Sequence, residues 1–165
     1  MEYLENGNLR DYMRHNHQTI TPLLRLRWAR EPAEALTVLH TVDVMHCVLS
    51  PRNFLLDSDL HLKISDFGGA SLCGSEPSAT PATRFRHPAY DWNAAPVFGD
   101  DIFSLGSLIY FIMTGCYPYE DIPSNEVEKL YELLSKSMCS KGQFPLVHNF
   151  MKYNTRLGRN FGASE

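Results

Sequence analysis

The sequence predicts a mainly α-helical domain that carries one short β-hairpin. Three features point there. A cap-and-proline pair, Thr21-Pro22, opens an apolar periodicity that runs to about residue 41. Asp101 to Met113 is apolar on nearly every side, as expected of a helix at the centre of a helical core. Between them, Phe54-Leu55-Leu56 and Leu62-Lys63-Ile64 flank the polar turn Asp57-Ser58-Asp59, which reads as a hairpin.

The remaining elements follow in chain order. Asn8, with an acid three positions on at Asp11, starts a short helix. In the helix after Thr21, the face is expected to carry Leu26, Ala29, Ala33, Leu36 and Leu39 or His40. Pro32 lies well inside it. There it removes a backbone donor and crowds the preceding turn, at a cost of ~3 kcal/mol or a kink. Gly68 to about Ala82 is rich in Gly, Ser, Ala, Thr and Pro without periodicity, and is expected to be a mobile loop. Ser124 is the expected cap of a last helix bearing Val127, Leu130, Tyr131, Leu134 and Met138. Beyond Lys141 the pattern dissolves.

At 165 residues the chain suits one domain with a proper core. A net charge of −4 offers no basic field, so neither nucleic acid nor an anionic membrane is expected as a partner. Cys47, Cys73, Cys116 and Cys139 form no C-x-x-C pair and have no histidine at metal-ligand spacing, which fits free thiols in a reducing compartment. The first residues have neither the positive start nor the apolar core of a signal peptide. The run Ile102–Met113 is about half a bilayer span and contains Ser104, Gly106 and Ser107. An intracellular, cytoplasmic protein is expected.

The chemistry is concentrated in two short motifs. His46 to Asn53 reads H-C-V-L-S-P-R-N, and Asp66-Phe67-Gly68 begins thirteen residues after Asn53, across the hairpin. The pair resembles the catalytic loop H-R-D-L-x-x-x-N and the D-F-G turn of eukaryotic protein kinases. Asp101-Ile102-Phe103-Ser104-Leu105-Gly106 is similar to the D-x-W/F-S-x-G start of that family's central helix, and Thr114-Gly115 with Tyr117-Pro118-Tyr119 to the T-G-x-x-P-F segment after it. The resemblance covers about residues 1–145 and implies the kinase large lobe from the hinge onward. The small lobe, with its Gly-rich loop and phosphate-pairing lysine, is expected to be absent. Residues 146–165 resemble no kinase closing region and are expected to be a separate, disordered tail.

The resemblance assigns roles residue by residue. Asp66 would hold magnesium bridging the ATP phosphates, and Asn53 a second magnesium, two oxygen donors of the kind hard cations take. Glu2 and Leu4, in the segment Glu2-Tyr3-Leu4, match the hinge strand that holds adenine, with Met1 as gatekeeper; Leu55 matches the floor of the adenine pocket. His46 would pack beneath Phe67, and Asp101 would anchor the catalytic-loop backbone. Ser50 stands where serine/threonine kinases often carry lysine, and by itself decides neither hydroxyl class.

The departures argue against catalysis. Val48 occupies the position of the aspartate that accepts the substrate proton, and valine has no lone pair to offer. Cys47 replaces an arginine that clamps phosphorylated activation loops in many kinases. His87-Pro88-Ala89 is the best match to A-P-E, and Ala89 lacks the carboxylate that pairs with a distant arginine; Arg156 and Arg159 lie in no similar setting. The expectation is a kinase-derived chain with weak or absent binding of ATP and Mg2+ and no useful phosphoryl transfer. Two alternatives stand beside it: an active kinase truncated in this chain, and a non-enzymatic interaction module that docks a protein partner through residues 83–125.

Overall fold

The computed structural model describes residues 4–139. Glu2 and the residues beyond 139 lie outside that range, as does the expected division at residue 145. Four helices dominate: α1 (Leu9–Asn16), α2 (Pro22–Thr41), α3 (Phe98–Thr114) and α4 (Ser124–Cys139). Two small antiparallel sheets lie between α2 and α3 in the chain. One pairs β1 (Val44–Met45) with β4 (Ser71–Leu72), and the other pairs β2 (Phe54–Leu56) with β3 (Leu62–Ile64).

The helix starts follow from capping chemistry. Asn8 Oδ1 accepts from the Asp11 amide at 3.0 Å, and Thr21 Oγ1 from the Leu24 amide at 3.2 Å. Each satisfies a first-turn donor that the helix itself leaves unpaired. At α3, Asp100 accepts from the Val97 amide at 3.1 Å, so the helix opens at Phe98, three residues before the expected Asp101. Gly115 ends it in the left-handed region at φ 81°, with its N–H donating to the Phe111 carbonyl at 2.7 Å; a residue without a Cβ takes that conformation at no steric cost. Ser124 is the first helical residue of α4 rather than its cap, because the carbonyl of Pro123 already accepts from Val127.

The core joins α1, α2, the β2–β3 hairpin and α3 through Leu9, Met13, Trp28, Leu36, Phe54, Leu56, Leu108 and Ile112. The buried stripe of α2 is Trp28, Pro32 and Leu36, whereas Leu26 is 58% exposed. Leu36, Ala33 and Leu39 of the expected face do pack in or against the core, so the correction is local: Leu26 is outside it, and Trp28 is fully buried, its indole donating to the Leu60 carbonyl at 2.8 Å. Arg27 reaches the carbonyls of Asp59 and Leu60, and Glu31 accepts from the Leu62 amide at 2.8 Å, so one helical face clasps the hairpin turn. Residues 68–82 are not wholly irregular. A 3-10 turn at Phe67–Gly69 leads into β4, whose two-residue pairing with β1 is too short to leave a periodic signal in sequence.

Pro32 interrupts neither the helix nor its packing; α2 is continuous for 20 residues and the ring is buried between Trp28 and Leu36. Pro32→Ala restores a backbone donor worth ~3 kcal/mol and removes about two buried methylene equivalents worth ~0.8 kcal/mol each. The backbone gain is larger, so the variant is expected to melt a few degrees higher, by about 1 kcal/mol. A lower melting temperature would mean that the ring's packing outweighs the helix defect.

Candidate functional site

The loop between β1 and β2 is held from below by one carboxylate. Asp101, on the first turn of α3 and 1% exposed, accepts from the His46 amide at 2.8 Å, from the Cys47 amide at 2.9 Å and from His40 Nε2 at 3.1 Å. A buried carboxylate is tolerated when donors surround it in this way. The grip has a backbone consequence. Cys47 sits at φ 65°, a left-handed conformation that costs a non-glycine residue roughly 1–2 kcal/mol, and its N–H is one of the two amides that Asp101 fixes.

Ser65 ties this loop to the Asp66-Phe67-Gly68 turn. His46 Nε2 donates to the Ser65 carbonyl at 2.9 Å, and the Ser65 amide donates to the Asn53 carbonyl at 2.9 Å. A carbonyl only accepts, so the His46 ring carries its proton on Nε2, and Nδ1 is left without a partner. The His46 ring lies 5.2 Å from that of Phe67, tilted by 56°, as the sequence led one to expect. Phe67 itself is 43% exposed. Asp66 is also left-handed, at φ 62°, and its carboxylate is exposed and makes no hydrogen bond or ion pair among the described residues.

Asn53 is half-buried and turned inward. Its Nδ2 donates to the Val48 carbonyl at 2.9 Å, closing the 48–53 loop across its own base and leaving the amide oxygen without a partner among the described residues. Asn53 and Asp66 thus offer one amide and one carboxylate oxygen on segments that Ser65 links. No cluster of three or more His, Cys, Asp or Glu suited to a metal exists among the described residues. Two protein oxygens fit magnesium in the manner that ion prefers, with waters and phosphates completing its shell. Leu55 lies opposite Lys63 in the hairpin and is bridged by Asn8, half-buried. Leu4 is half-buried, and its carbonyl accepts from Gly7 in the turn before α1.

Val48 is half-buried and packs under the backbone that follows the turn. A methyl group built on Gly69 would meet the two Val48 methyls at 3.1 and 3.2 Å and Ala79 at 3.0 Å. Valine therefore fills space at a position where the loop backbone is otherwise well defined. Ser50 faces elsewhere, into a cavity shared with Arg10, Arg52, Thr83, Tyr117 and Ser124. Those partners come from five separate stretches of chain, and no local spacing announces them. Arg84 spends its guanidinium on the carbonyls of Pro118, Tyr119 and Ile122, which fixes the segment after α3. Ala89 is exposed; nearby, Arg86 pairs with Glu128 at 3.3 Å and stacks 4.5 Å over Trp92.

Burial pushes the Cys47 thiol up to about 11, with the charge of Asp101 adding to the rise. A protonated thiol is a poor nucleophile. In the native chain at pH 8, Cys73, which is exposed, is expected to react with iodoacetamide while Cys47 is spared until the pH approaches 11 or the chain unfolds. Peptide mapping that finds the two alkylated at equal rates would show that the loop around Cys47 opens.

Comparison with known proteins agrees with this geometry. Residues 1–157 match the profile of the protein tyrosine and serine/threonine kinases. The chain is 30% identical over 149 residues to cAMP-dependent protein kinase type 3 of Saccharomyces cerevisiae, covering 84% of this chain and 34% of that protein. It is 32% identical over 143 residues to the cAMP-dependent protein kinase catalytic subunit of Arthrobotrys oligospora, covering 80% and 25%. Dual specificity protein kinase pyk3 of Dictyostelium discoideum is 28% identical over 123 residues, covering 73% and 9%. The chain thus spans about a third or less of these relatives. No helix among the described residues is long and apolar enough to cross a membrane.

Proposed function

The chain belongs to the protein tyrosine and serine/threonine kinase family, and from that premise we propose that residues 4–139 form the large-lobe part of a kinase fold that has kept its loop architecture and lost useful phosphoryl transfer. Val48 carries this reading. The loop that would present a proton acceptor is held by Asp101 and closed by Asn53, and the side chain presented is an alkyl group.

Magnesium-ATP, when bound, supplies the transferable phosphoryl group and neutralises its charge. Asp66 and Asn53 are the residues that would hold the metal, and Leu55 would lie beneath the adenine. Asp66 is exposed, and a charge pair in water at 4 Å is worth only ~1 kcal/mol, so this floor binds nucleotide weakly. Nothing in the described loop then takes the proton from an incoming hydroxyl. Val48 cannot, and His46 is buried with its protonated nitrogen committed to Ser65. Loss of a general base typically costs ~10²–10⁴ in rate, roughly 3–5 kcal/mol of barrier.

The test is phosphate transfer by the whole chain, with radiolabelled magnesium-ATP and casein as acceptor. Label incorporation is expected to equal that of Asp66→Ala, and calorimetry is expected to find no micromolar nucleotide binding. Magnesium-dependent transfer that Asp66→Ala abolishes would establish an active enzyme and overturn the reading.

A further inference from the structure

The exposed side of α3 is more apolar than its buried side. The buried positions include Asp101, Ser104 and Ser107. The opposite stripe is Ile102, Gly106, Ile109 and Met113, at helical spacing and without a charge or a side-chain hydroxyl. Ile102 is 54% exposed, Gly106 and Met113 are exposed, and Ile109 is half-buried. A helix that is apolar all round is ordinarily covered all round. We propose that this stripe is a self-association surface, on which α3 of a second copy of this chain packs antiparallel across Gly106.

The stripe continues onto α2. The two helices run antiparallel: Arg25 donates to the Ile112 carbonyl at one end, and His40 meets Asp101 and the Phe98 ring at the other. One residue further along, each helix turns about 100° round its axis. In an antiparallel pair those two turns lead to the same side, so Leu26 follows Arg25 to where Met113 follows Ile112. Leu23, one turn before Leu26, is 77% exposed. Arg30 and Glu34, which flank this side, pair with each other at 3.2 Å, so the rim carries no unbalanced charge. An exposed apolar face that spans two helices differs from the scattered surface leucines of any soluble protein and marks a docking surface.

Charge, symmetry and size single out a second copy as the occupant. A face without net charge has nothing to steer an acidic or a basic partner. It is complementary to itself. A two-fold axis through Gly106 sets Ile102 of each copy against Ile109 of the other, an isologous arrangement that closes with two subunits. Gly106 also permits the approach. A Cβ there would meet nothing within 4 Å, so the backbone lies open at the middle of the stripe. A residue without a side chain lets two helices close to ~8 Å. The 17 residues of α3 span ~25 Å, and two helices side by side are about 20 Å wide. The face is thus about 500 Å² on each copy and ~1,000 Å² for the pair, the lower limit for a specific interface. The dimer is therefore weak and concentration-dependent. The face contains no residue of the 46–53 loop or of Asp66-Phe67-Gly68, so it does not rest on the reading of that site.

Sedimentation equilibrium of the whole chain from about 1 to 100 µM tests this. A monomer–dimer equilibrium with a dissociation constant in the micromolar range is expected. Gly106→Gln puts a side chain at the crossing and is expected to weaken association about tenfold or more. The same substitution separates association from folding: glutamine is the better helix former, so the dilute chain is expected to melt no lower than the native one. Ile102→Lys, at an exposed side chain, carries the same test independently, and Leu133→Lys, at an exposed leucine of α4, is expected to leave association unchanged. A chain that stays monomeric throughout would overturn the proposal and leave the face to another occupant, such as residues 140–165 of the same chain. Undiminished dimerisation in both Gly106→Gln and Ile102→Lys, or an equal loss in Leu133→Lys, would overturn the crossing at α3.

Discussion

The carboxylate of Asp101 is the constraint on which the site depends. It is a charged group placed almost out of reach of water, and it is matched by two backbone amides and an imidazole from the end of α2. Removing one partner of such a group leaves the others desolvated and unpaired, which costs more than the bonds themselves contribute. The 46–47 backbone therefore cannot relax independently of α3. From that fixed start the loop geometry follows: the left-handed Cys47, the inward turn of Asn53 onto the Val48 carbonyl, and the approach of Ser65 to both His46 and Asn53.

What is held and what is presented are separable in this chain. The hydrogen bonds that shape the 46–53 loop use the backbone amides of His46 and Cys47 and the Val48 carbonyl, which accepts from the Asn53 side chain, so the identity of the side chain at 48 does not enter them. A valine can replace a proton acceptor there without disturbing the frame, and its methyls fill the space facing Gly69. Architecture of a catalytic loop is thus compatible with loss of its chemistry, which is the physical content of the proposal made for this family member.

Much of this was legible in sequence, and the reasons differ by element. Helix starts at Asn8 and Thr21 were readable because capping is local chemistry. The hairpin was readable because its strands and turn are contiguous. Asp101 was identified through the resemblance alone, since nothing local says that its carboxylate meets amides more than fifty positions away. On α2 the periodicity placed Ala33, Leu36 and Leu39 correctly but put Leu26 inside in place of Trp28, which fills more volume and has a carbonyl to receive its N–H. The β1–β4 pair and the arginine-lined cavity left no signal. The first is two residues long, and the second is assembled from Arg10, Arg52, Thr83, Tyr117 and Ser124 only by the fold.

The central claim, that Asp101 fixes the loop backbone, is tested most directly by amide hydrogen exchange at His46 and Cys47. In the native chain both amides should be protected to a degree comparable with the interior of α3, although they lie at the end of a two-residue strand. In Asp101→Asn, which keeps the shape and offers one acceptor oxygen in place of two, at least one of the two amides should exchange about tenfold faster or more while the α3 interior stays protected. Unchanged protection at both amides in that variant would contradict the account.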